Sequence, residues 1–147
     1  MQEMQIIDHA RQAREEWRPG VLTRMLCSAV TGARQLCLFE QWCEPGRGAP
    51  THLHAVEELL TVVAGAADFW LGDRRRELTS GQSVIVPAGL KHGFRNIGSG
   101  VLHVRAMLAA PIFEAAFDDA REVSRRWLPV SGARADAPVG EPPVPGR

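Results

Sequence analysis

The sequence predicts an all-β domain, a sandwich or small barrel, flanked by two helical pieces. Three observations carry this. Between Val21 and Leu108 the apolar residues fall in short or alternating runs, as half-buried strands require. Turn residues separate those runs at near-regular intervals. On either side, apolar residues recur instead at helical spacing.

Residues 1–19 read as an N-terminal helical arm. Ile6, Ala10, Ala13 and Trp17 lie on one helical face, and Pro19-Gly20 ends the run. The barrel follows over residues 20–110. Its strand candidates are Val21–Val30, Arg34–Cys43, Glu57–Ala64, Ala66–Leu71, Val84–Val86, Gly93–Ile97 and Val101–Leu108. Thr31-Gly32, Pro45-Gly46, Gly65, Gly72-Asp73, Ser80-Gly81, Pro87-Ala88-Gly89 and Gly98-Ser99-Gly100 punctuate them. A C-terminal helix is expected over 111–128, where Phe113, Ala116, Phe117, Ala120, Val123 and Trp127 share a face. Residues 129–147, with five Pro and three Gly, read as a disordered tail.

Composition narrows the partners. Seventeen basic residues balance seventeen acidic ones, which removes the electrostatic case for nucleic acid or an anionic membrane. No apolar run reaches the length of a membrane span, and Met1–Gln5 shows no signal-peptide core. Cys27, Cys37 and Cys43 fit no zinc spacing and read as reduced thiols of a cytoplasmic protein. Tyr is absent and Lys91 is the single lysine, so phenol acid–base and Schiff-base chemistry have little to work with.

The chemistry concentrates in the histidines. His52 and His54 are two apart, so on a strand both imidazoles share a face. Glu58 follows at an even offset, Glu57 points the other way to solvent, and His92 arrives on a later segment. Three imidazoles and a carboxylate suit a divalent transition metal. On an octahedral ion they leave two positions open to substrate, water or dioxygen.

His103 and Arg105 share a face of the last barrel strand. His103 is a candidate general base, and Arg105 could bind a carboxylate or phosphate. Phe94 shares the face of His92 and reads as pocket wall. Arg74-Arg75-Arg76 reads as a solvated turn, Trp42 and Trp70 as core or interface, and His9 carries no signal.

The glycines extend the pattern. Gly46 to Gly65 reads G-x5-H-x-H-x3-E-x6-G, and Gly81 to Asn96 reads G-x5-P-x-G-x2-H-x3-N. Fifteen residues separate the two blocks. This resembles the cupin superfamily, in the form of a single-domain monocupin, at every defining position of its two signature motifs. The resemblance implies a double-stranded β-helix, or jelly-roll barrel, with a metal inside one mouth. It implies His52, His54, Glu58 and His92 as ligands of one iron, manganese, nickel, copper or zinc ion. It also implies a homodimer.

The expected function is a metal-dependent enzyme on a small organic molecule, with Glu58 and His103 as the candidate catalytic groups. Dioxygenase chemistry comes first, and isomerase, cyclase or lyase chemistry second. The alternative is a non-catalytic binder of a sugar or other small ligand.

Overall fold

The structure, a computed structural model, describes residues 3–129. Twelve strands form two six-stranded sheets, and every pairing is antiparallel. The first sheet runs β1 (Arg14–Arg18), β2 (Val21–Cys27), β3 (Cys37–Cys43), β10 (Leu102–Leu108), β5 (Glu58–Ala64) and β8 (Ser83–Val86). The second runs β12 (Ser124–Arg126), β11 (Phe113–Phe117), β4 (Gly48–Leu53), β9 (His92–Asn96), β6 (Ala66–Leu71) and β7 (Arg74–Thr79). From β3 to β6 and again from β7 to β11 each strand passes to the other sheet, as in a jelly roll.

The core lies between the inner faces. β10 shows the alternation clearly: Leu102, Val104, Ala106 and Leu108 are buried, while His103, Arg105 and Met107 face outward. Phe39 of β3 meets Phe113 of β11 edge to face at 5.5 Å, joining the sheets at one end. Cys37 and Cys43 are fully buried, Cys27 is half-buried, and all three thiols are free. Burial pushes the Cys37 and Cys43 thiols up to about 12, so both stay protonated and act as small apolar groups.

Both helical expectations are overturned. In the N-terminal arm only His9–Arg11 makes a single 3-10 turn, and Arg14–Arg18 is a strand paired with β2. The C-terminal region forms strands β11 and β12, with no helix among the described residues. An offset of four residues satisfies both a helical and a strand period. Ala13 and Trp17, or Phe113 and Phe117, therefore cannot choose between them. Tertiary burial chooses: Phe113 and Ala115 are buried and Glu114 is less so. Of the expected tail, Val130 onward lies outside the described residues.

Two further strands were not anticipated. Arg74–Thr79, read in part as a turn, forms edge strand β7, whose exposed charges suit an unpaired sheet edge. β4 contains Pro50, which normally argues against a strand. It is accommodated because β11 pairs with β4 only at Leu53 and His52, so nothing asks Pro50 for an N–H on that side. Among the described residues no helix is long and apolar enough to cross a membrane.

Candidate metal centre

Four buried side chains from three strands and one loop converge inside the barrel. His52 lies on β4, His54 just beyond its end, Glu58 at the start of β5 and His92 at the start of β9. One potential ligand atom from each lies within 4.8 Å of all the others. An irregularity in the β4–β9 ladder between Ala49 and His52 sets the register that places His52 opposite His92.

The hydrogen bonds behind the rings decide which atoms face inward. His52 Nδ1–H donates to the Pro50 carbonyl at 2.6 Å. His54 Nδ1–H donates to the Glu114 carbonyl at 2.7 Å, and His92 Nδ1–H to the Leu90 carbonyl at 2.9 Å. A carbonyl can only accept, so each Nδ1 carries a proton. A neutral ring then presents a bare lone pair at Nε2.

Two of those Nε2 atoms face Glu58. Its Oε1 lies 2.9 Å from His92 Nε2 and 3.4 Å from His54 Nε2. A lone pair against a carboxylate oxygen is repulsive unless a proton or a metal ion lies between them. Backbone carbonyls behind imidazoles are also the usual means of orienting metal-binding histidines. The donor set therefore fits one divalent metal ion, which the cluster can hold.

Without an ion, the electrostatics differ from ring to ring. Burial, followed by the neighbouring His92, pushes His52 down to about 3, so it is neutral at ordinary pH. Burial opposes ionisation of Glu58, but the hydrogen bonds from His54 and His92 outweigh it and hold the carboxyl at about 2. Burial likewise opposes a charge on His54, yet the Glu58 contact raises its pKa overall.

The surrounding walls are largely aromatic: Trp17, Phe39, Phe69, Phe94, Phe113 and Phe117. Polar groups besides the cluster are Arg18 and Gln41. Gln41 Nε2 donates to Thr23 Oγ1 at 3.0 Å, which leaves its Oε1 to serve the cavity. That cavity is small, about 30 Å³, with room for an ion and a water molecule. Phe94 lines it as expected from its position beside His92. Trp17, Arg18, Phe113 and Phe117 were missed, because their segments were read as helices or helix ends. A strand reading would have put Phe113 and Phe117 on one face, whereas adjacent Trp17 and Arg18 both reach the cavity beside an irregularity in the β1–β2 pairing.

His103 and Arg105 are not in this pocket. Both face outward from β10, and both turn to Glu40 on the neighbouring β3. His103 Nε2 donates to Glu40 Oε1 at 2.8 Å and its ring stacks on Trp42 at 5.0 Å. Arg105 Nε lies 3.5 Å from the same oxygen, while Arg24 holds Oε2 through two hydrogen bonds. The expected base and the expected anion-binding group are thus part of a network on the outer sheet face. Strand parity alone could not say which face of β10 was inner.

Glu40 is 3% exposed because these partners cover it. Burial alone would raise its pKa, but the hydrogen bonds from His103 and Arg24 bring it below the ordinary 4.5. A depressed pKa means the stabilisation is complete above 4.5 and is lost as pH falls through the folded-state value. Glu40→Gln is therefore expected to lose about 1–3 kcal/mol at neutral pH, measured by urea unfolding. The difference from the parent should shrink below pH 4.5. A gap that stays constant from neutral to acid pH contradicts an ionised Glu40.

A two-sheet antiparallel barrel with three imidazoles and a carboxylate gathered inside it defines a metal-binding protein of jelly-roll class. Comparison with known proteins makes the class specific. Residues 40–108 match the family described as the cupin domain (Cupin_2). That segment of the chain is a cupin domain.

Among relatives, it is 32% identical to Protein SchB of Streptomyces halstedii over 82 residues, which span 55% of this chain and 59% of that protein. Among solved structures, the polyketide cyclase RemF from Streptomyces resistomycificus superposes with a TM-score of 0.69 at 21% identity. That match covers 82% of this chain and 89% of RemF. Oxalate decarboxylase of Bacillus subtilis, studied for its Mn(II) centres, superposes with a TM-score of 0.67 at 15% identity. Here 77% of this chain is covered but only 32% of the decarboxylase.

Proposed function

We propose that this protein is a metal-dependent enzyme that moves protons on an enolisable carbonyl compound, in isomerase- or cyclase-type chemistry that needs no dioxygen. The observation that carries the reading is Glu58. It is a buried carboxylate held ionised against two imidazoles, in a cavity whose walls are otherwise mostly apolar. The likeness to a polyketide cyclase supports the choice of branch.

His52, His54, Glu58 and His92 would hold the metal. When bound, a divalent ion polarises a carbonyl oxygen and so acidifies the neighbouring C–H. Everything else falls to the chain. Both imidazole contacts of Glu58 use Oε1, which leaves Oε2 to accept the proton from the α-carbon. The electron pair of that C–H bond becomes the enolate and then attacks a second carbonyl of the same molecule, or is reprotonated at another position. The proton returns from Glu58 to the new oxygen or carbon, so no outside oxidant or reductant is consumed. Gln41 offers Oε1 to orient a substrate hydroxyl, and the aromatic walls exclude water. With Tyr absent from the chain and His103 outside the pocket, Glu58 is, among the described residues, the one carboxylate lining it.

The test is exchange of α-hydrogens for deuterium in a panel of β-dicarbonyl compounds, followed by NMR with the metal-loaded protein under air and under nitrogen. Equal exchange in both is expected, falling by about a hundredfold or more in Glu58→Gln. Turnover that requires air would replace this reading with the dioxygenase one. Saturable ligand binding without any exchange would replace it with a non-catalytic binder.

A further inference from the structure

A second cavity of about 260 Å³ lies beside the metal pocket, and three arginines line it: Arg18, Arg47 and Arg95. Trp70, Phe94 and Pro50 supply apolar wall, and no carboxylate is among its lining side chains. The chain as a whole has as many acidic as basic residues, so the imbalance is local. Three arginines outside the cleft are matched in close pairs: Arg24 with Glu40, Arg75 with Asp68 and Arg125 with Glu114. Among the described residues none of the three cleft arginines makes an ion pair.

Arg18 is the informative member. It lines both cavities, as do Ala49 and Phe94. Its Nη1 donates to the Gly48 carbonyl at 3.0 Å, on the stretch of β4 that β11 leaves unpaired. Its guanidinium carbon sits 5.4 Å from the Phe117 ring centroid. The guanidinium is thus fixed in place with donors to spare, and Asp119 favours its charge through space while Arg126 opposes it. Burial pushes its pKa down, the cost of holding a positive charge there without a counter-ion.

We propose that the Arg18–Arg47–Arg95 cleft binds a phosphate group carried by the molecule on which the metal pocket acts. Guanidinium forks match phosphate oxygens in geometry as well as charge, and three of them suit a dianion. The aromatic wall of Trp70 and Phe94 accommodates an unsaturated body attached to that phosphate. The arrangement also answers a question of space. The cavity at the cluster holds little more than an ion and a water, whereas the cleft has room for the bulk of a substrate whose reactive end reaches past Arg18. Phosphate binding stands on the cleft alone, while its assignment to the substrate rests on the function proposed above.

The experiment is calorimetric titration of the metal-loaded full chain with phenyl phosphate, with inorganic phosphate and benzoate for comparison. One-to-one, salt-sensitive binding of phenyl phosphate is expected. It should weaken about tenfold in Arg47→Gln and again in Arg95→Gln, both exposed positions where circular dichroism should show an intact fold. His52→Ala, which removes a cluster residue, should bind phenyl phosphate as the parent does.

Absence of saturable binding overturns the proposal, as does undiminished binding in the Arg47→Gln/Arg95→Gln double variant. Benzoate binding as tightly as phenyl phosphate overturns the assignment to phosphate. Loss of phosphate binding in His52→Ala would place the anion on the metal instead. The link to substrate is read from the exchange assay. A phosphorylated β-dicarbonyl should show a lower KM than its unphosphorylated form, and the double variant should abolish that advantage. Equal KM values would break the link while leaving the metal chemistry intact.

Discussion

His52→Ala and His92→Ala are each expected to take the purified protein from about one bound divalent ion per chain to near none, measured by elemental analysis after dialysis. Each change removes one of three imidazoles whose inward nitrogen is dictated by a backbone carbonyl behind the ring. The remaining three groups would offer an incomplete set. The same ion stabilises the fold by mass action, by about 2.7 kcal/mol when free metal exceeds its dissociation constant a hundredfold. A chelator should therefore lower the Tm of the parent and leave that of His92→Ala unmoved. Removing His92 also deletes the 2.9 Å contact with Glu58, so the metal-free variant is expected to be less stable than the metal-free parent. A His52→Ala protein that kept a full equivalent of metal would mean that the ion binds elsewhere.

Gly48→Ala is the second change with a large expected effect. A Cβ built on Gly48 would stand 2.1 Å from the Phe94 carbonyl oxygen and 3.0 Å from the Arg95 Cα. Both are backbone atoms of β9, so no side-chain rotation relieves the clash and the two strands must part. The cost should be about 3 kcal/mol or more in urea unfolding. The same two strands hold His52 opposite His92, so metal affinity should fall together with stability. The comparison variant is Gly46→Ala. Its added Cβ meets nothing within 4 Å, but the left-handed φ of 81° leaves it a smaller penalty of about 1 kcal/mol. A Gly48→Ala protein with the parent's unfolding midpoint would show that β4 and β9 are not packed as described.

Much of the barrel was legible because its strands alternate and its glycines punctuate. The runs from Ala66 to Leu71 and from Val101 to Leu108 fall on β6 and β10 almost to the residue. The gathering of His52, His54, Glu58 and His92 was legible for a related reason. Two histidines at even separation share a face, and the turn chemistry around Gly89 brings His92 back beside them. Glu57 turned outward as parity required.

What failed to show in the sequence depends on longer-range partners. Trp17 and Phe113 repeat at a spacing compatible with a helix, and only the inner faces they meet across the barrel make their segments strands. His103 carried the right chemistry on the wrong side of β10. Its distance from the cluster depends on which of two alternating faces packs inward, and Glu40 on the neighbouring strand gave it an outer partner. Arg18 was invisible as a pocket residue because Pro19-Gly20 marked it as the end of a helix rather than the end of a strand. Arg47 and Arg95 lie on either side of the β4–β9 pairing, and nothing local links them.

The most direct measurement is anomalous diffraction from crystals of the metal-loaded protein, collected on either side of the metal's absorption edge. The account predicts one peak per chain, about 2.0–2.2 Å from the Nε2 atoms of His52, His54 and His92 and from a carboxylate oxygen of Glu58. A peak seated elsewhere, coordination through Nδ1, or no peak at the four converging side chains after loading would contradict it.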